Sequence, residues 1–260
     1  MALTASEMIA MIPAATARVR AGGEVEHYLR LRAESRRLNR ELLAIVPPHA
    51  TDHIGAAIGI LCGRTFFFET ESVAAVLADC CIFDWLEDGR TAPERYVRDT
   101  PPLEGTYEHE LLEAMLRPRY DIVDAVDQIP GVGVRARSLV DGRELRVLDI
   151  DLARKAGLVG ETLALRLLPL GDWWMASAPA LEIARPLAVA TVRTFARTAS
   201  SDTYESTGPL EDHELVLMVV RAGLEQRRGR RSLALERDGP ERDRRRAAGP
   251  GRVRTDLPAG

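Results

Sequence analysis

Between residues 129 and 183, runs of apolar residues alternate with polar ones, and turn residues divide the runs. Val134 and Ala136, for example, alternate with Arg135 and Arg137. Successive side chains of a strand point to opposite faces, so this period of two predicts strands with one buried and one wet face. The Asp-Gly pair that starts at Asp141 separates two such runs and is a strong hairpin signal, because both residues tolerate a positive φ.

Four strands are predicted in this region, at residues 132–137, 144–149, 162–170 and 173–183, and the run at 120–126, just before it, supplies the first strand of five. The last of them contains Pro179, which weakens it. Such short strands leave no long edges open if the sheet closes on itself. We therefore predict an α+β protein in which a helical N-terminal part is followed by a small antiparallel five-stranded β-barrel or roll.

Apolar residues at helical spacing dominate the chain before the barrel. The clearest helix covers residues 24–46 and ends at Pro47 and Pro48. Further helices are predicted at 51–61, 70–86, 91–98 and 106–117, and after the barrel at 187–198 and 210–226. The chain is thus divided into a mainly helical domain (1–118), a small β-barrel domain (119–186), a helical extension (187–226) and an arginine-rich disordered tail (227–260).

Composition narrows the classes of function and location. A formal net charge of −4 argues against bulk attraction to nucleic acid or membrane. No apolar run approaches the roughly 20 residues that cross a bilayer, and the first residues lack the features of a signal peptide. Three cysteines without a repeated spacing do not make a disulfide framework, so a reducing cytoplasm is the simplest location.

Four arginines fall at outward positions of the predicted barrel strands: Arg135, Arg137, Arg146 and Arg166. One of two consecutive tryptophans, Trp173 or Trp174, is expected beside them. Small barrels bind single-stranded nucleic acid through such arginines together with stacking aromatic side chains. The alternative is a solvated face, because acidic residues are close in sequence. Lys155 is the only lysine, so the choice of arginine alone carries little functional information.

Acidic residues cluster around the end of the predicted helix 70–86: Asp79, Asp84, Glu87 and Asp88. Paired carboxylates serve acid–base catalysis or hold Mg²⁺. The alternative is a solvated helix end, which is the commoner environment for acidic residues. A carboxylate near a helix C-terminus is slightly unfavourable, which singles out Asp84 and Asp88 for attention.

Two histidines, His49 and His53, are four residues apart, the spacing of metal ligands on one helix face. Pro47 and Pro48 precede them and a helix cap is expected at Thr51, so we predict that they do not share a regular helix. The catalytic glutamate of a zinc protease motif is also missing. No metal site is expected here.

The cysteines and the glycine motif of the sequence also predict no functional site. The three cysteines, Cys62, Cys80 and Cys81, lack the spacing of zinc ligands, and small core filling is the simpler role. The stretch from Gly131 to Gly133 begins like a dinucleotide fingerprint but lacks its third glycine and the helix that should follow. No cofactor is expected.

Two parts of the sequence resemble a group of uncharacterised bacterial proteins. The first is LADCCIFDWLEDGRTAPERY at residues 77–96, and the second is PGVGVRARSLVDGRE at 130–144, followed by GETLALRLLP at 160–169. The resemblance covers residues 77–183 and implies an architecture of helices followed by a small β-barrel. Some of those proteins end in a SEC-C-type cysteine-rich zinc tail, which this chain lacks, so a zinc-dependent role does not carry over.

These observations lead to three hypotheses for function. The first is a non-catalytic cytoplasmic interaction or regulatory module with a protein partner, because each catalytic constellation fails on spacing or on partners. The second is a nucleic-acid-associated barrel that uses the four arginines. The third is an enzyme with the acidic cluster Asp79–Asp88 in a groove. No membrane partner is expected.

Overall fold

The computed structural model describes residues 23–199 and 213–229. A helical N-terminal part precedes a closed five-stranded β-barrel, which confirms the α+β class. The helices before the barrel are α1 (Gly23–Ala44), α2 (Pro48–Ala57), α3 (Glu71–Phe83), α4 (Ala92–Asp99) and α5 (Tyr107–Met115). A small hairpin joins α2 to α3, and its strands are β1 (Leu61–Cys62) and β2 (Thr65–Phe66).

The second half of the chain contains the barrel and the helices around it. Its strands are β3 (Arg119–Ile129), β4 (Gly133–Ser138), β5 (Glu144–Leu148), β6 (Thr162–Leu170), β7 (Trp173–Ala176) and β8 (Leu181–Glu182). Its helices are α6 (Ile150–Arg154), α7 (Arg185–Ala199) and α8, which is described over residues 213–229.

The barrel strands are hydrogen-bonded in the order β3–β4–β5–β7–β6, and β6 pairs with β3 to close the ring. The neighbours are antiparallel except for β5 and β7, which are parallel. The prediction of an antiparallel barrel is wrong for this pair. Strand directions cannot alternate all the way around a closed ring with an odd number of strands, so five strands require a parallel pair.

The predicted strand 173–183 is two strands, β7 and β8, separated by residues 177–180. Both strands pair with β6. β7 pairs with the C-terminal half of β6, and β8 pairs with Leu163 and Ala164 near its start. Pro179 lies in the interruption, where the missing backbone N–H breaks no ladder. The interruption therefore bends the chain without opening the barrel.

The lumen is filled by the alternate residues that the period of two marks: Val134, Ala136, Leu145, Val147, Leu163, Leu165 and Leu167. Backbones approach closely at one point of this wall. A Cβ atom on Gly133 would lie 1.8 Å from the carbonyl oxygen of Val147, so only glycine fits there. This close approach accounts for the glycine-rich start of β4.

A second hydrophobic cluster lies between the helices and the outer side of the barrel. Leu31, Leu38 and Leu42 of α1 are fully buried in it, whereas Leu29 of α1 and Ile45 just after it are exposed. From the barrel it includes Tyr120, Ile122, Ala164 and Leu168, and from α8 Val216, Val220 and Leu224. The outer side of β6 and of the first part of β3 is therefore an interior surface.

Parts of the predicted organisation lie outside the described residues. They are 1–22, 200–212 and 230–260, which include nearly all of the predicted arginine-rich tail. None of the helices in 23–199 and 213–229 combines the length and the apolar character that a membrane span requires.

Candidate functional site

The outer side of β4 and β5 carries three of the four predicted arginines, and Arg135, Arg137 and Arg146 are all exposed there. The register of the two strands is thus as predicted, with apolar residues in the lumen and arginines outside. We define the free barrel face by these arginines and the acidic residues beside them: Asp127, Arg135, Arg137, Glu144 and Arg146. Together they make a polar surface on three adjacent strands, β3, β4 and β5.

Two of the three arginines on the free barrel face are paired with carboxylates of the same face. Nη2 of Arg135 donates to Oδ2 of Asp127 at 2.6 Å, and Nη2 of Arg137 donates to Oε1 of Glu144 at 3.1 Å. Arg146 lies directly opposite Arg135 in the β4–β5 ladder, where two like charges repel each other.

The third arginine of this face has an aromatic partner. The guanidinium carbon of Arg146 is 3.6 Å from the centre of the Trp173 ring, in stacking distance for a cation–π contact. Trp173 is buried and belongs to the cluster beneath the helices, and Arg146 covers one face of its ring. The sequence prediction of a tryptophan beside the arginines is met by this pair.

Arg166 points away from the lumen, as predicted, but the prediction that it belongs to an exposed arginine face is wrong, because only 5% of this residue is exposed. Its side chain leaves β6 on the side away from the lumen, opposite Tyr120 of β3. That side of the barrel is covered by the helices, and β6 does not adjoin β4 or β5. A period of two separates lumen from exterior, but it does not reveal which exterior positions other elements will cover.

Arg166 binds two carboxylates from the end of α3. Its Nε donates to Oδ2 of Asp79 at 2.9 Å, and its Nη2 donates to Oδ2 of Asp84 at 2.5 Å. The hydroxyl of Ser177 donates to the other oxygen of Asp79 at 2.5 Å. We call Asp79, Arg166 and Asp84 the interlayer triad, because it joins the helical layer to the barrel wall.

Burial sets the electrostatics of the triad. It raises the pKa of Asp79, although the charge of Arg166 and the bond from Ser177 oppose the rise. Burial also raises the pKa of Tyr120, whose ring lies beside Arg166. For Arg166 itself burial would lower the pKa, but Asp84 and Asp79 outweigh burial and raise it. The guanidinium therefore stays charged and occupies both carboxylates.

The other two residues of the acidic cluster have local structural roles. Glu87 accepts a hydrogen bond from the indole nitrogen of Trp85 at 2.9 Å. Asp88 is exposed, with a φ of 52°, in a two-residue turn that connects Glu87 to Arg90 by backbone hydrogen bonds. Asp84 and Asp88 therefore do not converge on one site.

A cleft of about 630 Å³ lies beside the triad, lined in part by Asp84, Tyr120 and Trp174. His213 of α8 also lines it and places Nδ1 3.4 Å from Oδ1 of Asp84. Sequence reasoning did not find this pair. The two residues are 129 positions apart, and no local pattern connects them.

A second buried arginine closes one end of the barrel lumen. Arg119 donates from Nε to Asp121 at 2.8 Å, from Nη2 to Ser138 at 3.0 Å and from Nη1 to Asp141 at 2.9 Å. Asp121 is fully buried, and the Ser138 hydroxyl donates to it at 2.9 Å. We call these four residues the lumen-end cluster. Its signal in the sequence was a pair of opposite charges two residues apart on one strand face.

The lumen-end cluster perturbs both of its carboxyl groups. Burial raises the pKa of Asp121, and the charge of Arg119 opposes the rise. Burial would also raise the pKa of Asp141, but hydrogen bonds from Arg119 and from the backbone of Arg143 lower it to about 2. The cluster fastens the β4–β5 turn to the barrel end.

His49 and His53 both lie in α2, so the prediction that they do not share a helix is wrong. Pro48 occupies the first turn, where a proline costs no hydrogen bond. The two imidazole rings make edge contacts with Trp85, at centroid distances of 5.2 and 5.5 Å. This aromatic contact accounts for their spacing.

The prediction that the cysteines fill the core is correct for two of the three. Cys80 and Cys81 are buried in the helical core, and Cys62 is exposed. Across residues 23–199 and 213–229, no group of three or more His, Cys, Asp or Glu side chains is placed to hold a metal ion.

The fold and these clusters define an α+β protein in which a helical layer packs on a small mixed β-barrel. Residues 23–182 match the model of a family of unknown function, DUF7986. The chain belongs to this family, whose model covers helices α1 to α6, the interlayer triad and the free barrel face. No curated protein and no solved structure matches the chain.

Proposed function

We propose that this protein is a non-catalytic cytoplasmic interaction or regulatory module that binds a protein partner through the free barrel face. The mixed charge of that face, three arginines with two carboxylates among them, is the observation that carries the proposal. Two arginines are paired with carboxylates on the same face, and the guanidinium of Arg146 lies over the Trp173 ring. Arginine and tryptophan are enriched where proteins bind each other. Alternating charge suits a protein surface of mixed sign.

The acidic cluster supports catalysis less well. Arg166 binds both Asp79 and Asp84, and Asp88 lies in a turn. A general base must reach the proton that it removes, and a carboxylate held by a buried guanidinium is already engaged. An enzymatic role would have to use the cleft beside His213.

Single-stranded nucleic acid is the second candidate for the same face. Three arginines on adjacent strands, one of them stacked on an indole, resemble the surfaces with which small barrels hold unpaired bases. The ion pairs with Asp127 and Glu144 lower the net positive charge of the face. We therefore place this candidate second.

Affinity capture from cytosol of the source cells tests the proposal. The test compares the wild type with the double variant Arg135→Glu, Arg146→Glu. A matched control, Arg30→Glu with Arg98→Glu, reverses two exposed arginines that also have carboxylate partners. We expect one protein to be captured in stoichiometric amount by the wild type and by the control, and to be lost with the face variant.

Binding of a single-stranded oligonucleotide at increasing salt provides the second arm. If wild-type binding falls steeply with salt and disappears in the face variant, nucleic acid replaces protein as the partner. Protein capture that survives in the face variant refutes the free barrel face as the binding surface.

A further inference from the structure

The cleft beside the interlayer triad has a volume of about 630 Å³. Aromatic side chains from three elements line its inner part: Phe83 of α3, Tyr120 of β3 and Trp174 of β7. Leu86 and Leu116, which are both exposed, line its outer part. We call this space the triad cleft, and no residue of the free barrel face lines it.

The triad cleft has the size and the walls of a small-molecule site. Such sites have volumes of roughly 300–1,000 Å³ and combine apolar or aromatic walls with a few polar groups that orient the ligand. The two exposed leucines are apolar surface that the folded chain leaves uncovered and that a bound molecule would remove from water. The polar groups of the lining therefore decide which class of molecule fits.

Both carboxylates of the lining are already engaged. Oδ2 of Asp84 accepts from Nη2 of Arg166 at 2.5 Å, and Oδ1 of Asp84 lies 3.4 Å from Nδ1 of His213. Glu94 caps the start of α4, where it accepts from the backbone nitrogen and the hydroxyl of Thr91 at 2.6 and 2.9 Å. A cationic ligand would therefore compete with protein donors for these carboxylates.

One arginine of the lining, Arg117, keeps its donors free. Arg119 and Arg166 also line the cleft, but each is paired with two carboxylates. Arg117 is exposed and forms no ion pair with a described residue, and its Nε donates to the backbone carbonyl of Glu113 at 3.4 Å. A planar guanidinium binds a carboxylate through two parallel hydrogen bonds, so this side chain suits an anionic head group.

Tyr120 supplies a second donor. It is 4% exposed, and its hydroxyl forms no hydrogen bond with a described residue. The side-chain polar atoms of the described chain that are both enclosed and unbonded belong to other residues: Asn39, Thr70 and Arg95. The hydroxyl of Tyr120 is therefore not enclosed, and it has accessible surface in the cleft that this residue lines. Burial raises the pKa of Tyr120 well above its ordinary range, so the hydroxyl keeps its proton and donates to an acceptor in the cleft.

We propose that the triad cleft binds a small organic monocarboxylate. Its carboxylate accepts hydrogen bonds from Arg117 and Tyr120, and its apolar body packs against Leu86 and Leu116. A single negative charge fits better than two, because the interlayer triad beside the cleft already holds two carboxylates for one guanidinium. The site is separate from the free barrel face and does not depend on the function proposed for that face.

Isothermal titration calorimetry of the full chain with three probes tests the ligand class. The probes are phenylacetate, phenethyl alcohol and phenethylamine, which share the apolar body and differ in the head group. We expect phenylacetate to bind, the alcohol to bind about tenfold more weakly because it is neutral, and the amine not to bind. An amine that binds as well as phenylacetate, or phenylacetate that does not bind at millimolar concentration, overturns the proposal.

Variants of the lining then locate the site. Arg117→Met removes the charge and keeps an apolar stem, and we expect about a tenfold loss of phenylacetate affinity. Arg40→Met is the matched control, because Arg40 is exposed outside the cleft and its Nε also donates to a backbone carbonyl, at 3.3 Å. Tyr120→Phe removes the hydroxyl alone and should cost about fivefold in affinity. Tyr28→Phe, at another buried tyrosine outside the cleft, should leave the affinity unchanged.

Circular dichroism melting of each variant shows whether it is folded. If Tyr120→Phe does not fold, Arg117→Met still tests the site, because the side chain of Arg117 is exposed. Phenylacetate affinity that is unchanged in Arg117→Met, or that falls equally in Arg40→Met, places the carboxylate elsewhere and overturns the proposal.

Discussion

The free barrel face and the covered side of β6 present the same sequence pattern in opposite environments. Arg135 and Arg166 each stand between aliphatic residues whose side chains fill the lumen. Arg135 is exposed and shares a single carboxylate, whereas Arg166 is buried and binds two. The difference teaches that a strand pattern assigns a side chain to one side of the wall, and that the packing of distant elements decides whether that side is wet.

The environment also sets the energetic consequence of each arginine. An exposed ion pair contributes about 0–1 kcal/mol, because water solvates both groups nearly as well when they are apart. A buried pair gains little over apolar residues, but removal of one partner leaves an uncompensated charge in the interior. The two sides of the barrel should therefore respond very differently to the same substitution.

The largest expected effect is at the interlayer triad. Arg166→Met leaves Asp79 and Asp84 buried without a counter-charge, and we expect the free energy of unfolding to fall by about 3–5 kcal/mol. Urea denaturation of the wild type and the variant measures this difference in the free energy of unfolding. Arg135→Met on the free barrel face is the matched control.

A compensated variant sharpens this prediction. Arg166→Met combined with Asp79→Asn and Asp84→Asn removes all three charges, so much of the lost stability should return. If Arg166→Met is no more destabilising than Arg135→Met, the predicted difference between the covered and the exposed side is wrong, because water would then have to reach the triad.

The barrel was predictable because its signals are local. Alternation along each strand and the Asp-Gly turn depend on neighbouring residues, and the strands lie close to the predicted ranges. The parallel pair of β5 and β7 was missed, although the odd number of strands in a closed ring requires one. The division of the predicted strand 173–183 into β7 and β8 was indicated in the sequence only by Pro179.

The clusters were harder to predict because they form between distant parts of the chain. The triad joins residues more than 80 positions apart, and the hydrogen bond from Arg166 to Asp79 spans 87. Both acidic members were recognised as candidates, but nothing near them in sequence identifies Arg166 as their partner. The lumen-end cluster is the exception, since Arg119 and Asp121 are two residues apart on one strand.

The lumen-end cluster lies between the two sides of the barrel in the burial of its charges. Its contribution to stability should depend on pH. The pKa of Asp141 is lowered from 3.8 to about 2, so its charged form stabilises the folded state. This stability is present above the pKa of the unfolded chain and is lost as pH falls from about 4 towards 2. Asp141→Asn should therefore cost roughly 1 kcal/mol at pH 7, a figure reduced for the partial exposure of the carboxylate.

Urea denaturation of the wild type and of Asp141→Asn at several pH values checks this. The difference in stability between them should shrink through the window from about 4 to about 2 and disappear below it. A difference that stays constant down to pH 2 would show that the substitution acts through packing of the turn and not through the charge.

The smallest expected effect separates recognition from folding on the free barrel face. Arg137→Ala removes one exposed pair with Glu144 and should change the free energy of unfolding by no more than about 0.5 kcal/mol. Arg135→Ala should change it even less. It loses the pair with Asp127 but also removes the repulsion from Arg146, which lies directly opposite. Urea denaturation of both variants measures this order. If the free energy of unfolding falls as much as it does in Arg166→Met, these arginines stabilise the barrel. That result would contradict the proposal that the free barrel face serves to bind a partner.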